Sequence, residues 1–212
     1  IVAALLAGAG LPWLMGAWSP LVALGLLLAV WIVAAALLQI RERLKTGAAL
    51  PRAHWGMHLA HLGVAVFVVG VTMVKGFEAE KDVRMAPNDT VSVGGYTFRL
   101  LGVHAVPGPN YRAMRGDVEL SQAGKVLKTL HPEKRTYPTS AMPMTEAAID
   151  AGLLRDVYVS LGEPLEGGAW SVRVYYKPFV DWIWGGCLLM AFGGLVAASD
   201  RRYRIKKPGA AA

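Results

Sequence analysis

The sequence is short of thiols: its 212 residues hold one cysteine, Cys187. One thiol excludes an internal disulfide, a CxxC redox pair and a CxxCH attachment site for a c-type haem. Inside an apolar stretch, Cys187 reads as a small apolar residue. Charge is scarce as well, since residues 1–40 contain no Asp, Glu, Lys or Arg. A soluble domain seldom goes so far without a charged face. No Walker loop or GxSxG is present, and Gly8 and Gly10 follow no strand, so no nucleotide fingerprint is formed. The acidic residues show no paired arrangement for general acid–base work. Met85, Met114, Met142 and Met144 share no spacing that would point to copper. The chain also has no initiating Met and no basic leader before the apolar run at 1–10, so that run is not a signal peptide. A chain that opens inside such a run is expected to be the tail of a longer protein, cut within an earlier helix.

What is present is apolar length. A bilayer crossing needs about 20 apolar residues at ~1.5 Å each. Three stretches qualify, at about 19–40, 53–74 and 178–199, while 1–10 is too short and reads as a truncated helix within residues 1–75. The net charge of +7 is not spread over a surface. Arg41, Arg43, Lys45 and Arg52 face the single acid Glu42, and Arg201, Arg202, Arg204, Lys206 and Lys207 face Asp200. The remainder of the chain is neutral. An excess of bases beside the ends of apolar helices is the positive-inside pattern, which puts the 41–52 loop and the 200–212 tail in the cytoplasm. Residues 76–177 then lie outside it. Trp13, Trp18, Trp55, Trp182 and Trp184 all fall near the membrane interfaces this frame predicts. Nucleic acid is not an expected partner, because no folded domain carries a basic face.

Between the second and third spans the pattern turns to short strands. Residues 89–93 and 96–103 flank Gly94-Gly95, a two-residue hairpin signal. Residues 117–121 and 125–130 flank Ala123-Gly124, and 156–161 and 170–176 flank a Gly-rich loop. A short helix is predicted near 145–151. The fold class is therefore a membrane protein of α+β type, with transmembrane helices and a small antiparallel all-β extracytoplasmic domain.

The second span carries His54, His58 and His61, whose offsets of four and three put them on one face. His54 sits at the interface beside Arg52 and Trp55. His61 lies roughly 12 Å along the helix. An imidazole at that depth is either ligated or satisfied by an interhelical hydrogen bond, and the residues alone leave both readings open. Imidazole is a common axial ligand of haem iron. Two histidines on one helix face cannot hold the same iron from opposite sides, so a bis-histidine haem would need its second ligand from a helix outside this sequence. His104 and His131 stand isolated near strand ends and read as surface residues. Asn88-Asp89-Thr90 matches a glycosylation sequon, a weak pattern, and Asp181 complements the start of the third helix.

Several longer strings carry a resemblance. HLAHLGVAVFVVG, EKDVRMAPNDTVSVGGYTFRLLGV, GPNY, TLHPEKRTYP, MPMTEAAID, RDVYVSLGEPL, GAWSVRVYYKPFVDWIWGG and DRRYR occur in that order. Together they resemble the C-terminal third of the CcmF family, the large membrane subunit of the haem lyase in bacterial cytochrome c maturation. The resemblance runs from about His58 to Tyr203. It implies a multi-pass protein of the bacterial inner membrane with residues 76–177 in the periplasm. It also implies a role in attaching haem covalently to the CxxCH thiols of apocytochrome c at the periplasmic face. The implied partners are other lyase subunits, a haem chaperone that delivers the haem, and apocytochrome c. A haem b within the membrane, relaying electrons, is implied as well. One of its ligands lies in an AHLG-type string, here Ala60-His61-Leu62-Gly63, so His61 is the expected axial ligand of the haem iron, with the second ligand outside this chain.

The family's tryptophan-rich haem-handling segment, its flanking periplasmic histidines and its other transmembrane histidine have no counterpart here; Trp182-Ile183-Trp184 is not that segment. No catalytic residue is therefore expected in this stretch, which reads as a fragment or a split subunit of the enzyme. Two other readings stand beside it: a membrane-anchored interaction module with an extracytoplasmic β domain, and a cytochrome b-like electron-transfer subunit.

Overall fold

The computed structural model describes residue 10 and residues 19–47, 50–140 and 142–200. The run at 1–10 (Gly10 apart), Trp13, Trp18 and the basic tail from 201 onward lie outside the described residues. The chain divides into a helical unit, up to Gly76 and again from Phe179, and a β unit, Phe77–Pro178.

The helical unit contains α1 (Pro20–Lys45), α2 (Arg52–Phe77) and α3 (Val180–Ala198), each long and apolar enough to cross a membrane. Pro20 opens α1 at a position where its missing N–H costs nothing and its fixed φ suits the helix. The helix does not stop at residue 40. Arg41 to Lys45 continue it, because Arg, Glu, Leu and Lys are strong helix formers. The chain leaves the helix only at Gly47, whose φ of 65° is in the left-handed region.

α2 and α3 pack antiparallel through glycine. Gly56, Gly63 and Gly70 recur every seven residues along α2 and meet Gly193, Gly186 and Ile183 of α3. A Cβ on Gly63 would lie 2.6 Å from the Met190 amide nitrogen, and one on Gly186 would lie 2.6 Å from that of Phe67. Backbones that close leave no room for a methyl group, as in membrane helix pairs built on small residues. α1 lies on α2 where Gly25 meets Thr72 and Val22 meets Gly76. Asp200, just past α3, is buried and accepts the Ala53 N–H through Oδ2 at 2.8 Å. It thus satisfies one of the free amides at the start of α2.

The β unit is an antiparallel sandwich, which confirms the fold class. One sheet has the order β1 (Ala79–Met85), β10 (Trp170–Pro178), β9 (Arg155–Pro164), β8 (Ala148–Asp150). The other runs β2 (Thr90–Val93), β3 (Tyr96–Pro107), β4 (Arg112–Gln122), β6 (Glu133–Thr136), β7 (Met144–Glu146), with β5 (Lys125–Leu130) also on β4. Alternate residues of each strand turn inward. Phe98, Leu100, Val118 and Leu120 of one sheet and Val157, Val159, Leu161, Val172 and Val174 of the other are fully buried. Gly94 and Gly95, with φ of 58° and 79°, make the tight turn between Val93 and Tyr96.

Two expectations are corrected. Residues 145–151 are not helical: Met144 pairs with Arg135 and Glu146 with Glu133, while Ala148–Asp150 pair with β9. Waiting sheet edges outweigh the helix preference of a Glu-Ala-Ala string. Among the described residues the strands number ten, against the six that the three hairpin patterns predict. β1 and β6 escape a hydrophobic pattern because Glu80, Lys81, Asp82 and Arg84, and Glu133 to Arg135, supply charge where alternation would be read.

Candidate functional site

The histidines of α2 do not share one environment. His58 is 6% exposed, and its Nε2 is buried without a hydrogen-bond partner. His54 is half-buried and meets the His58 ring edge-on, 5.7 Å between centroids. His61 lies on the exposed flank of α2. The three are on one side of the helix, but α1 covers only part of that side.

Of the two readings left open for His61, the interhelical hydrogen bond is not the one its Nδ1 makes. Its Nδ1 lies 2.7 Å from the carbonyl oxygen of Met57, one turn back on the same helix. A carbonyl only accepts, so Nδ1 carries the proton and donates it, which leaves Nε2 with its lone pair outward. That is the arrangement of an imidazole ligand oriented by a backbone acceptor. Beside the ring is a cleft of ≈ 170 Å³, walled by Ile32, Ala35, Ala36 and Gln39 of α1 and by Met57, His58 and His61 of α2. A second cleft of ≈ 240 Å³ has His58, Trp55, Leu59 and Leu62 on one side and Val33, Ala36, Leu37 and Ile40 on the other. Both fall below the ~300–1,000 Å³ of enclosed ligand sites. The residues present therefore fit one half of a porphyrin site, an oriented ligand nitrogen on an open flank, and do not enclose such a group.

In the β unit, folding joins residues that look isolated along the chain. Asp117 accepts from His131 Nδ1 at 2.8 Å and lies 3.5 Å from His104 Nδ1. The pairing of His104 with Arg115, and of Leu130 with Val118, carries both rings to the strand that bears Asp117. The sequence showed no sign of this, since the three residues are 13 or more positions apart. Among the described residues, no three His, Cys, Asp or Glu side chains form a set able to hold a metal ion. The strings GPNY and TLHPEKRTYP also converge. Tyr111 and Tyr137 lie 5.5 Å apart, with the Arg135 guanidinium 4.6 Å above the Tyr111 ring. The buried Glu133 accepts from Arg115 Nε at 2.7 Å and Arg135 Nε at 2.8 Å. The Arg135 bond, then Arg115, hold its carboxyl below the ordinary glutamate range against the opposing effect of burial.

Known proteins resemble both units. The family described as the CcmF C-terminal beta-sandwich matches residues 76–178. The cytochrome c-type biogenesis protein CcmF of Pseudomonas aeruginosa is 50% identical over 186 residues, covering 85% of this chain and 28% of its own length. The cytochrome c-type biogenesis protein ccl1 of Rhodobacter capsulatus is 48% identical over 94% of this chain and 31% of itself. The Escherichia coli CcmF is 46% identical over 92% and 30%. A solved structure titled cytochrome c heme lyase CcmF superposes with a TM-score of 0.76 at 21% identity, over 92% of this chain and 33% of that one, and shares the fold. The chain thus spans about a third or less of the relatives it matches. With identity near one half across both the helices and the sandwich, it belongs to the CcmF family, as part of that family's C-terminal portion.

Proposed function

We propose that this chain serves cytochrome c biogenesis as the C-terminal part of a haem lyase in the bacterial inner membrane. In this reading His61 is one axial ligand of a membrane haem b, and the second ligand comes from a segment outside the chain. The observation that carries it is the Nδ1–H bond to Met57, which fixes the tautomer and turns a free Nε2 outward. Met57 and the small residues Ala35 and Ala36 keep the flank beside the ring low. A bound haem would supply one-electron chemistry, and the chain's own part is to hold its ligand imidazole in a fixed orientation. The bases beside α1 and after Asp200 favour a cytoplasmic position for both flanks, which puts the β unit on the periplasmic side, where haem would meet the thiols of apocytochrome c. Thioether formation, the haem chaperone and partner subunits belong to the full-length protein. Replacing His61 with Ala in that protein is expected to remove the b-type absorption spectrum while the protein still assembles. A variant that keeps the spectrum would remove the ligand role.

A further inference from the structure

The β8–β9 hairpin loop, residues 151–154, carries two adjacent leucines at its tip. Leu153 is 72% exposed and Leu154 58%. The loop is not slack. Asp156, itself buried, accepts the Gly152 N–H at 3.0 Å through Oδ1 and the Tyr158 hydroxyl at 3.2 Å through Oδ2. Arg155 closes the base of the loop: its N–H donates to the Gly152 carbonyl at 3.2 Å and its Nη1 to the Asp150 carbonyl and carboxylate at 2.8 and 2.6 Å. Arg155 Nε then donates to the Tyr96 hydroxyl at 2.8 Å. A buried carboxylate and a guanidinium are thus both committed to holding a turn whose apolar side chains project outward. Water gives such a turn no reason to present leucine.

The register shows what does. Arg155 pairs with Pro178 and Ala79 with Tyr176, so the loop closes its hairpin at the end of the sheet where the chain enters and leaves the sandwich. One residue, Glu78, separates β1 from α2, and one, Phe179, separates β10 from α3. Each link spans only a few Å at ~3.5 Å per residue, so the chain passes directly from the membrane-spanning helices into this end of the sheet and back. Its side chains have the matching chemistry. Lys177 lies 5.4 Å from the Tyr175 ring and 5.9 Å from that of Tyr158, a cation among tyrosines of the kind that membrane interfaces collect.

We propose that Leu153 and Leu154 insert into the interfacial layer of the bilayer that the helices span. The partner is a lipid surface. The inference rests on the membrane helices and not on the haem reading.

The test places a single cysteine at 153, 154 or, at the opposite end of the sheet, 166, in the full-length protein with its other cysteines replaced. Each is labelled with an environment-sensitive fluorophore and reconstituted in vesicles whose acyl chains carry bromine. Emission at 153 and 154 is expected to fall at least twofold relative to ordinary lipid, with no change at 166. Equal emission in the two lipids at 153 and 154 overturns the proposal, whether aqueous iodide reaches the labels or protein shields them.

Discussion

The two units close their interiors to different degrees. The largest fully buried side chains, Phe98, Leu100, Leu120 and Leu161 among them, belong to the β unit. In the helices Leu21, Leu188, Leu195 and Trp184 are all well over half exposed. Exposed apolar area costs ~25 cal/mol per Å² in water, so the helices are built to be surrounded by lipid or by further helices. The buried polar groups divide the two units less sharply. Their buried carboxylates are bonded in both, Glu133 and Asp156 in the sandwich and Asp200 in the helices, while Nε2 of His58 and Nε of Arg99 are buried without a partner, one in each unit. A self-contained core carries stability, and an open one shows where something else must dock.

The largest expected effect tests that contrast directly. Phe98→Ala empties a site packed from both sheets and should cost ~3–5 kcal/mol. Leu188→Ala, at a position 73% exposed, should cost no more than about 0.5 kcal/mol. Thermal unfolding of the two variants in detergent measures both, and equal losses would break the comparison. Glu133→Gln comes next, at ~1–3 kcal/mol, because it removes the negative charge and turns one of the two oxygens that accept from Arg115 and Arg135 into an NH2 donor. Its effect depends on pH. The folded carboxyl titrates below its unfolded value, so its contribution is present above the ordinary glutamate range and is lost as pH falls through the depressed folded value. Wild type and variant should therefore differ near neutrality and converge at low pH, as followed by unfolding midpoints at a series of pH values. A gap that stays constant into acid would show that the pair is not the source.

In the helical unit a smaller loss is expected from Asp200→Ala, ~1 kcal/mol, since the Ala53 amide loses its acceptor at the positive end of α2. Hydrogen exchange should speed up at Ala53 while the amides of β9 and β10 stay protected. Faster exchange in the sandwich would mean that the two units are more tightly coupled than their separate cores imply.

Much of this architecture was legible in the sequence, and the rest was not, for identifiable reasons. The charge-free stretches and Gly94-Gly95 announced spans and a hairpin, because each is a local signal. β7 and β8 are three residues each, too short to show a period of two, and only their partners make them strands. The seven-residue recurrence of Gly56, Gly63 and Gly70, like that of Gly186 and Gly193, is present in the sequence, and small residues at that interval mark a close helix interface, but only the packing shows which helices meet there. The cluster of His104, Asp117 and His131 and the cap from Asp200 depend on tertiary register, which no local pattern carries. For the α2 histidines, spacing gave the side of the helix but not the reach of α1, which buries His58 and leaves His61 outside.

That division yields the smallest effect and the sharpest reading. A buried polar atom without a partner costs free energy, and replacing it with an apolar group of similar volume removes the cost. His58→Leu in this chain should therefore leave the unfolding midpoint unchanged or raise it slightly, by less than about 1 kcal/mol. In the full-length protein the same substitution compares the lone chain with its assembled state. If a group from the remaining segments bonds Nε2 there, the variant loses stability that the lone chain never had, and the difference between the two measurements is the worth of that bond. Equal, near-zero effects in both would mean that the imidazole is simply tolerated against α1. The helical unit would then look outward for partners through His61 and its exposed leucines, and not through His58.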